Sequence, residues 1–413
     1  MQRLHTDRPA MISNPNPRIV HVTECLASGT LGFLAQATRE LAGAGVRQVL
    51  LFSRRPDTPA DVEAMFDPRV ELIELPALNS QIWRYVRALR TALLAQLQEP
   101  EDTFVHLHSS KAGFLGRIAL MGLRKLPPVY YSPHGLAFLN RRFVVPSLLY
   151  TALEWFAARV VRSTPVGCSR GEAALLGKLS PRPARVLENA VDDAFFQIER
   201  REGEVPLVLS MGRICYQKAP ERFAAMAVRF QIAEVPARFV WIGNGDPVSE
   251  ARLRAAGVHV TGWLGRDEIR RLLGEASLYV QTSRWEGMPL SVLQALAAGV
   301  PCVVTDVVGN RDAVRQGITG FVAGDDDELL IGARRLLRDA GLRARFSEAA
   351  RQDAVERFCN AAFRERLFRL YGVTPVAASA GTPVANLLRF ARPMPPLPTT
   401  PPAVPGYRRR ING

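Results

Sequence analysis

The chain of 413 residues has a net charge of +14, and a composition of 47% hydrophobic and 22% charged residues indicates a globular protein with room for two or more domains. The basic excess favours an anionic partner: a nucleic acid, an anionic lipid surface or a phosphorylated small molecule. The sequence has no RNP aromatic run, zinc-finger spacing or long Lys-rich tail, so we expect no nucleic acid partner.

The spacing of the cysteines and the lengths of the apolar runs indicate the cellular compartment of the protein. The five cysteines are scattered and include no C-x-x-C pair, which is typical of core thiols in a reducing environment. Residues 1–17 lack the apolar core of a signal peptide, and no run approaches the ~20 apolar residues of a membrane span. We therefore expect a cytoplasmic protein.

The first half of the chain alternates strands with helices. Apolar runs bounded by turns predict the strands, and apolar residues at helical spacing predict the helices. Residues 1–17 are polar and proline-containing and are predicted to be disordered. The small residues of Ala27–Gly32 predict a turn before the first helix. The predicted strands are 18–23, 49–52, a short one within 59–73, 103–108, 129–133, 165–168 and 184–187; the predicted helices end near 45 or span 82–97, 112–124 and 148–161.

The second half repeats this alternation after a charged linker at 199–205. Each half therefore predicts an α/β unit with a doubly wound parallel sheet. Two such units predict a ligand cleft at the carboxyl ends of their strands. From Pro375 the chain is rich in Pro, Ala and Thr and is predicted to be a disordered tail. The predicted strands are 207–211, 239–242, 258–261, 278–281, 302–304 and 319–322, and the last predicted helices span 326–338 and 342–370.

The stretch Ser283–Val304 predicts a strand end, a tight turn, a helix and another strand. Pro289 suits the first turn of that helix, and Gly299 with Pro301 ends it. The free N–H groups of the helix start favour an anion there. Glu286 stands just before the helix and Gln294 within it, so a ligand with both hydroxyl and phosphate groups would suit the stretch.

Two further loops follow strand ends of the second half. Arg213 and Lys218 form a cation pair that suits two phosphate groups, although surface cations on a solvated loop would look the same. Gly243-Asn244-Gly245 lets backbone approach a ligand closely, as a purely structural turn would also do. The dense acids Asp325–Asp327 open a helix and predict capping rather than metal binding.

The first half offers weaker candidates. The turn around Gly29 could cradle a phosphate, but it is neither a dinucleotide fingerprint nor a Walker A loop. His106 and His108 alternate along one strand; without a third ligand nearby, a metal site is not expected. Lys111 opens a helix, and His134 follows a strand at the edge where ligands bind.

Together these pieces resemble glycosyltransferase family 4, the retaining nucleotide-sugar transferases of GT-B fold. The resemblance spans about residues 18–372 and rests on five points in order: Pro133-His-Gly135, Glu188–Asp192, Gly212-Arg213 with Gln217-Lys218, Gly243-Asn-Gly245, and a stretch similar to the Glu-x7-Glu signature beginning at Glu286. It implies two Rossmann-like domains facing across a cleft. The implied bounds are 18–197 for an acceptor domain with a C-terminal helix near 354–372 packing back on it, 198–353 for a donor domain, and 374–413 for the tail.

The resemblance also implies roles for individual residues. Arg213 and Lys218 would bind the donor diphosphate and neutralise the leaving group, Glu286 would accept sugar hydroxyls, and His134 would contact the donor sugar near the reacting carbon. We count these four as the catalytic set. The implied donor-binding residues are Gly29, Asn244, Gly287, Met288, Leu290 and Gln294, and the acceptor-side candidates are His108 and Lys111.

Two departures from the family pattern stand out. The second acid of the signature, which would hold the ribose, is Gln294, giving Glu-x7-Gln. Gln can bond a ribose hydroxyl but lacks charge-assisted strength. The glycine-rich turn reads Ser-Gly-Thr rather than Gly-Gly, which leaves the role of Gly29 open.

The family chemistry implies a metal-independent, retaining transfer from a nucleotide-diphosphate sugar to a glycan or polyprenyl-linked acceptor, in exopolysaccharide, capsule or lipopolysaccharide synthesis. No metal or other cofactor is expected, because cations and a helix start would stabilise the departing diphosphate. Two alternatives stay open: a nucleotide-sugar epimerase of the same architecture, and a catalytically weak homologue that binds partners in a polysaccharide-assembly complex.

Basic residues flank an apolar segment of the first half. Arg84, Arg87 and Arg90 lie on one predicted helix, and Arg141, Arg142, Arg159 and Arg162 surround 143–156. This pattern suits docking on an anionic membrane surface, and equally a solvated helix beside a core. Docking would place the protein peripherally on the inner face of the membrane.

Overall fold

A computed structural model describes residues 17–78, 81–97, 103–136, 139 and 144–374. The predicted disorder of residues 1–16 and 375–413 therefore falls outside the described residues, as do Arg141 and Arg142. The described chain divides into two compact units. The first unit runs to Asn189 and resumes at Phe363, and the second comprises Ala190–Ala362.

The first unit is built on a parallel sheet of seven strands within the described ranges, in the order β3-β2-β1-β4-β5-β6-β7. Each strand pairs with neighbours that are distant in sequence, so helices must cross over between them. The strands are β1 Arg18–Thr23, β2 Arg47–Phe52, β3 Val70–Glu74, β4 Thr103–His108, β5 Val129–Ser132, β6 Ser163–Gly167 and β7 Arg185–Val186. The helices are α1 Ser28–Gly43, α2 Ile82–Gln96, α3 Ser110–Leu120, α4 Val144–Val160, α5 Arg170–Leu179 and, after the second unit, α13 Asn360–Tyr371.

The two faces of this sheet differ in chemistry. Side chains alternate along a strand, so residues two apart share a face. On one face Val20, Val22, Val105 and Leu107 join an apolar core with α2 and α3. On the other face β1 and β4 carry three buried histidines, which lie against aromatic side chains of α1 and α13. The sheet therefore has one apolar and one imidazole-lined face.

The second unit contains a parallel sheet of six strands among the residues described, in the order β10-β9-β8-β11-β12-β13. Its core is formed by strand side chains such as Trp241 and Phe321 and by helix side chains such as Phe223 and Phe346. The strands are β8 Leu207–Met211, β9 Arg238–Ile242, β10 His259–Gly262, β11 Ala276–Gln281, β12 Cys302–Thr305 and β13 Gly320–Ala323. The helices are α6 Pro220–Ile232, α7 Pro247–Ala255, α8 Arg266–Glu275, α9 Leu290–Ala297, α10 Val308–Ala313, α11 Asp326–Arg338 and α12 Ala340–Phe358.

The strand order of each sheet reverses direction at its centre. In the second sheet the reversal lies between β8 and β11, which pair directly. In open α/β sheets ligands bind outside the carboxyl ends of strands at this point. The predicted doubly wound parallel architecture is confirmed, and the loops after β8 and β11 are where a ligand site is expected.

Three local predictions need correction. Residues 28–32 are the first turn of α1 rather than a loop before it. The long helix predicted over 342–370 is two helices, α12 and α13, separated at Cys359, whose backbone is extended with ψ 161°. Pro289 is the N-cap of α9 and precedes its first turn. In contrast, the Asp325 side chain caps α11 by accepting a hydrogen bond from the Glu328 N–H at 2.9 Å, as the acidic run predicts.

Candidate functional site

Lys218 and Glu286 meet at the reversal point of the second sheet. Lys218 follows β8, and Glu286 follows the neighbouring β11. The Lys218 ammonium donates to Glu286 Oε1 at 2.6 Å. The Thr282 hydroxyl donates to the Lys218 carbonyl oxygen at 2.8 Å, which ties the two loops together. Two charges that are far apart in sequence are thus fixed at one strand edge.

Glu286 is held by one of its two oxygens. Oε1 accepts hydrogen bonds from Lys218 Nζ, from Gln281 Nε2 at 2.9 Å and from the Ser283 hydroxyl at 2.6 Å. Gln281 is oriented in turn by the Tyr279 hydroxyl, which donates to its Oε1 at 2.8 Å. Oε2 accepts no hydrogen bond from any residue that the structure describes. A buried, rigidly oriented carboxylate therefore keeps one oxygen available to accept from a ligand hydroxyl.

The loop of Arg213 is packed against the glycine turn that follows β9. The Ile214 N–H donates to the Asn244 carbonyl at 2.8 Å, and the Trp241 indole N–H donates to the Gly212 carbonyl at 2.8 Å. A Cβ atom at Gly243, whose φ is 130°, would lie 2.3 Å from the Gly212 carbonyl oxygen. Only glycine fits this contact. The Arg213 and Asn244 side chains are both exposed above it.

The start of α9 completes this edge of the second unit. Pro289 as N-cap offers no side-chain oxygen, and its carbonyl accepts from Val292 N–H at 3.0 Å and Leu293 N–H at 3.2 Å. The N–H groups of Leu290 and Ser291 precede these bonds, in the part of a helix start that attracts anions. Gly287 and Met288 are buried in the preceding turn, whereas Gln294 lies half-exposed in the second turn of α9.

In the first unit, β1, β4 and the loop after β5 bring four histidines together. His21 Nδ1 lies 3.1 Å from His108 Nε2, and His108 Nδ1 lies 3.0 Å from His134 Nε2. His106, which pairs with His21 across the sheet, instead contacts the Tyr371 hydroxyl through Nδ1 at 2.5 Å and the Ser132 hydroxyl through Nε2 at 2.8 Å. The result is a three-histidine chain beside one separately satisfied imidazole.

Burial keeps these rings neutral. It lowers the pKa of His21 and of His134 to about 4 and holds the pKa of His106 and His108 well below the usual range. A hydrogen-bonding interaction with Gln48 partly opposes the effect at His21.

The surroundings of these histidines bear on two expectations from the sequence. His108, an acceptor-side candidate, is fully buried, and other histidines lie within hydrogen-bond distance of both of its ring nitrogens. A third imidazole does lie near His106 and His108: donor atoms of the three rings, with His21, all lie within 4.8 Å of one another. The Tyr371 and Ser132 hydroxyls lie within hydrogen-bond distance of the two ring nitrogens of His106.

His134 is placed by a strained turn and a buried acid. Its φ of 53° lies in the left-handed region, which residues other than glycine adopt uncommonly. The next residue, Gly135, donates its N–H to Glu172 Oε1 at 2.9 Å, and Glu172 Oε2 accepts from the Cys168 N–H at 2.8 Å. Burial raises the pKa of Glu172, against the effect of these two hydrogen bonds.

The two remaining first-unit candidates lie at helix starts. Gly29 is exposed in the first turn of α1, where open space surrounds the position of a Cβ. Lys111 is exposed in the first turn of α3. Neither is in the histidine chain.

Sequence reasoning missed His21, Glu172, Gln281 and Ser283. Gln281 and Ser283 share the strand-end segment of Glu286, and the available signal was an amide or hydroxyl side chain three to five residues before the acid. His21 could have been found by laying the two six-residue strands side by side, which puts it opposite His106. Glu172 stands three residues after Ser169, which is the spacing of a helix capping box, but its bond with Gly135 had no local signal.

Comparison with known proteins gives two family matches that together cover most of the chain. Residues 191–353 match the family described as glycosyl transferases group 1, and residues 29–190 match a glycosyl transferase 4-like domain. Among curated relatives, the chain is 30% identical over 283 residues to the UDP-Gal:alpha-D-GlcNAc-diphosphoundecaprenol alpha-1,3-galactosyltransferase of Escherichia coli, over 62% of this chain and 71% of that protein.

Two further similarities extend the comparison. The chain is 30% identical over 172 residues to the N,N'-diacetylbacillosaminyl-diphospho-undecaprenol alpha-1,3-N-acetylgalactosaminyltransferase of Campylobacter jejuni, over 40% of this chain and 44% of that protein. Its fold is similar to that of sucrose-phosphate synthase from Thermosynechococcus elongatus, with a TM-score of 0.73 at 16% identity over 86% of this chain and 98% of that structure.

Proposed function

This chain belongs to glycosyltransferase family 4 and has the GT-B fold, and from that premise we propose that it moves a sugar, with retention of configuration, from a nucleotide-diphosphate sugar to a polyprenyl-diphosphate-linked glycan. Glycosyl transfer in polysaccharide or lipid-linked glycan synthesis is what the family and its relatives support. The retaining course, the donor and the acceptor are the proposal.

The observation that carries the proposal is the half-satisfied carboxylate of Glu286. Three donors fix its Oε1, and the described residues leave its Oε2 unbonded. This arrangement suits a hydroxyl-rich ligand, because a sugar hydroxyl can donate to Oε2 without displacing a protein contact.

The same edge offers groups suited to a diphosphate. The exposed Arg213 guanidinium and the Lys218 ammonium provide positive charge. The first N–H groups of α9 supply directed donors. These groups would stabilise negative charge on the leaving nucleoside diphosphate, so we propose a transfer that needs no metal ion. The acceptor hydroxyl would attack from the face that the diphosphate leaves, and the departing phosphate would take its proton.

Donor and acceptor follow from the relatives. The Escherichia coli relative is named for UDP-Gal, and both that relative and the Campylobacter jejuni one are named for diphosphoundecaprenol acceptors. We propose a UDP-activated hexose or hexosamine as donor and an undecaprenyl-diphosphate-linked sugar as acceptor. The basic composition agrees with two anionic substrates.

A lipid-linked acceptor would lie at a membrane, and α4 has an exposed apolar face that suits a membrane surface. Its exposed apolar side chains include Leu148, Leu149, Trp155 and Phe156, which recur at a spacing of seven and so share one face. Arg159 lies at the end of that helix with its guanidinium 3.9 Å from the Trp155 ring centroid. We propose that this face, with exposed Arg84 and Arg87 of α2, docks on an anionic membrane. Within the described residues no helix is both long and apolar enough to span a bilayer.

The test is a donor panel with product analysis. The purified chain is incubated with UDP-, GDP- and dTDP-sugars and GlcNAc-diphosphoundecaprenol, and nucleoside diphosphate release is followed. We expect release only with acceptor present, and a product with the anomeric configuration of the donor by NMR. An inverted product would refute retention. Interconversion of donor sugars without transfer would indicate an epimerase, and no release with any donor would indicate a binding protein; neither alternative is favoured by the relatives.

A further inference from the structure

The hydrogen bonds of the histidine chain in the first unit all point the same way, and that direction follows from the number of protons on the rings. It runs from His21 in the core through His108 to His134 at the strand edge, with nitrogen–nitrogen distances of 3.1 and 3.0 Å. Each contact needs one proton between its two nitrogens, because a neutral imidazole has one N–H and one lone pair. The burial described above keeps all three rings neutral. Only two proton arrangements are therefore compatible with the chain: every ring donates toward the core, or every ring donates toward the edge.

The core end of the chain selects between these arrangements. His21 Nε2 and Gln48 Oε1 are both buried, and neither has a partner within ordinary hydrogen-bond distance among the described residues. Gln48 Nε2 is committed to the Thr38 carbonyl at 2.9 Å, so the amide cannot flip without losing that bond. Gln48 lies on β2 two residues from Leu50, which pairs with His21, so the two side chains share a face of the sheet. Their interaction raises the pKa of His21 against the effect of burial, as a proton shared with the amide oxygen would do. A lone pair on His21 Nε2 would leave two buried acceptors without a donor, whereas a proton there gives the amide oxygen a donor on the same face of the sheet.

With that proton on His21 Nε2, the positions of the protons on His108 and His134 follow. His21 Nδ1 is an acceptor, so His108 donates to it from Nε2 and accepts at Nδ1. His134 must then donate from Nε2, and its Nδ1 carries a lone pair. No described residue bonds to His134 Nδ1, and the residue as a whole is half-buried. Phe33 packs on the same ring with its centroid 4.6 Å away, which limits rotation.

We propose that His21 and His108 are positioning residues, whose hydrogen-bonded chain fixes His134 as the Nε2-protonated tautomer and presents its Nδ1 as an acceptor for a substrate hydroxyl. The tautomer part rests on the first unit alone. The substrate part rests on the proposed glycosyl transfer, in which a hydroxyl-rich ligand is bound. The histidine chain thus favours ligands that donate a hydrogen bond to His134 Nδ1 and disfavours ligands that would accept one there.

Nitrogen NMR of the imidazole rings tests the tautomer without any substrate. The chain has six histidines, so a histidine-labelled sample gives few signals, and each can be identified by substitution. We expect His134 to show a protonated Nε2 and an unprotonated Nδ1 at neutral pH. A protonated Nδ1 in the native protein would overturn the proposal, and this measurement requires no variant that might misfold.

Substitutions then test the origin of the tautomer. His108→Phe removes the acceptor for His134, and we expect its signals to become a mixture of both tautomers. His108→Gln keeps an amide oxygen that can accept, and we expect the native tautomer to be largely restored. His106→Asn is the matched control: it lies on the same strand, equally buried, but outside the chain, so the His134 signals should not change. An unchanged His134 in a folded His108→Phe protein would refute the positioning role.

Kinetics separate this inference from the proposed function. If the chain transfers sugar, His108→Phe should lower kcat/KM by about tenfold or more, as loss of an orienting partner commonly does, and His108→Gln should recover most of it. If the native protein transfers no sugar but the tautomer results hold, the proposed activity fails and the positioning chain stands. If transfer occurs and His108→Phe leaves kcat/KM unchanged, the substrate role of His134 fails.

Discussion

The Lys218 ammonium lies 2.6 Å from the Glu286 carboxylate, although 68 residues separate them in sequence. Both side chains are largely buried: that of Lys218 is 18% exposed and that of Glu286 is 8% exposed. A carboxylate so buried needs a partner, and the lysine supplies it before any ligand arrives. Ligand binding at this edge therefore begins from a preorganised pair.

The first prediction concerns that pair. Glu286→Gln keeps the shape of the side chain but removes the charge that orders Lys218. We expect nucleoside diphosphate release to fall about 100-fold or more, roughly 2.7 kcal/mol of transition-state stabilisation. Glu221→Gln is the control, since Glu221 is an exposed acid whose ion-pair partner, Arg284, belongs to the same loop as Glu286. Near-native turnover in Glu286→Gln would contradict the role given to this carboxylate.

The second prediction addresses the amide in place of the second acid. Gln294 is half-exposed on α9, so a carboxylate can be accommodated there without burying a charge. We expect Gln294→Glu to tighten binding of the nucleotide donor, because a carboxylate accepts a ribose hydroxyl more strongly than an amide does. Isothermal titration with UDP and the UDP-sugar measures it. Unchanged or weaker affinity would argue against ribose binding at this position.

The third prediction concerns the hydroxyl that holds His106. Tyr371→Phe removes that hydroxyl and leaves His106 Nδ1 buried without its partner. We expect a loss of about 1–3 kcal/mol in stability, the usual cost of an unsatisfied buried polar group. Denaturant unfolding of the full chain measures it. Tyr150→Phe, in which an exposed tyrosine of α4 is changed, should have no comparable effect.

The fourth prediction is a pH dependence of stability. The pKa of His21 is lowered by burial from 6.5 to about 4 in the folded protein. Between these values the unfolded chain binds protons that the folded chain does not, so stability falls as the pH drops from about 6.5 toward 4. For His21 alone the loss is on the order of 3 kcal/mol at the acid end.

Thermal unfolding between pH 7.5 and 4.5 checks this dependence. Replacing His21 with a non-titrating residue, as in His21→Asn, should make the acid slope shallower even if it lowers stability throughout, while His106, His108 and His134 still contribute to the slope. His259→Asn should leave the slope unchanged, because His259 is exposed. An equal slope in His21→Asn and the native protein would show that this histidine is not the cause.

The fifth prediction tests membrane docking. We expect the native chain to float with vesicles containing anionic lipid and not with neutral vesicles. Replacing apolar residues of the α4 face, Leu149→Ser with Phe156→Ser, should abolish flotation without unfolding the protein, since both side chains are exposed. Ile232→Ser is the matched control, because Ile232 is 78% exposed at the end of α6 in the second unit. Flotation that survives the α4 double substitution would refute this docking face.

The strands and strand-end motifs could be predicted from the sequence because each depends on local pattern. Buried parallel strands are continuous apolar runs, and Glu286 and Lys218 stand directly after two of them. Their direct ion pair could not be predicted, since it depends on β8 and β11 being neighbours in the sheet although five helices and strands lie between them in the chain. From local spacing, Arg213 and Lys218 were both expected to bind phosphate, whereas in the folded structure Lys218 forms an ion pair with Glu286.

Two other features, the break between α12 and α13 and the histidine chain, were also missed because local sequence pattern does not show them. Apolar and helix-forming residues continue through Cys359, so periodicity alone shows no break between α12 and α13. The histidine chain was missed because His21 and His108 lie 87 residues apart and meet only through the register of β1 and β4. His108 looked like a ligand group because imidazoles at strand ends are common in sites. Its neighbours, which the sequence does not place, make it an interior residue.

The late position of α13 has a consequence for how the protein is made. The first unit takes most of its final helix, from Phe363 of α13 onward, from chain that comes after Ala362 of the second unit. Tyr371 bonds His106, the Leu370 carbonyl accepts from Tyr130, and Phe363 packs on Phe33. A nascent chain on the ribosome lacks all three contacts until its last described helix emerges. The first unit to be synthesised therefore reaches its native state only after the second has been translated, reversing the usual order in which domains mature during synthesis.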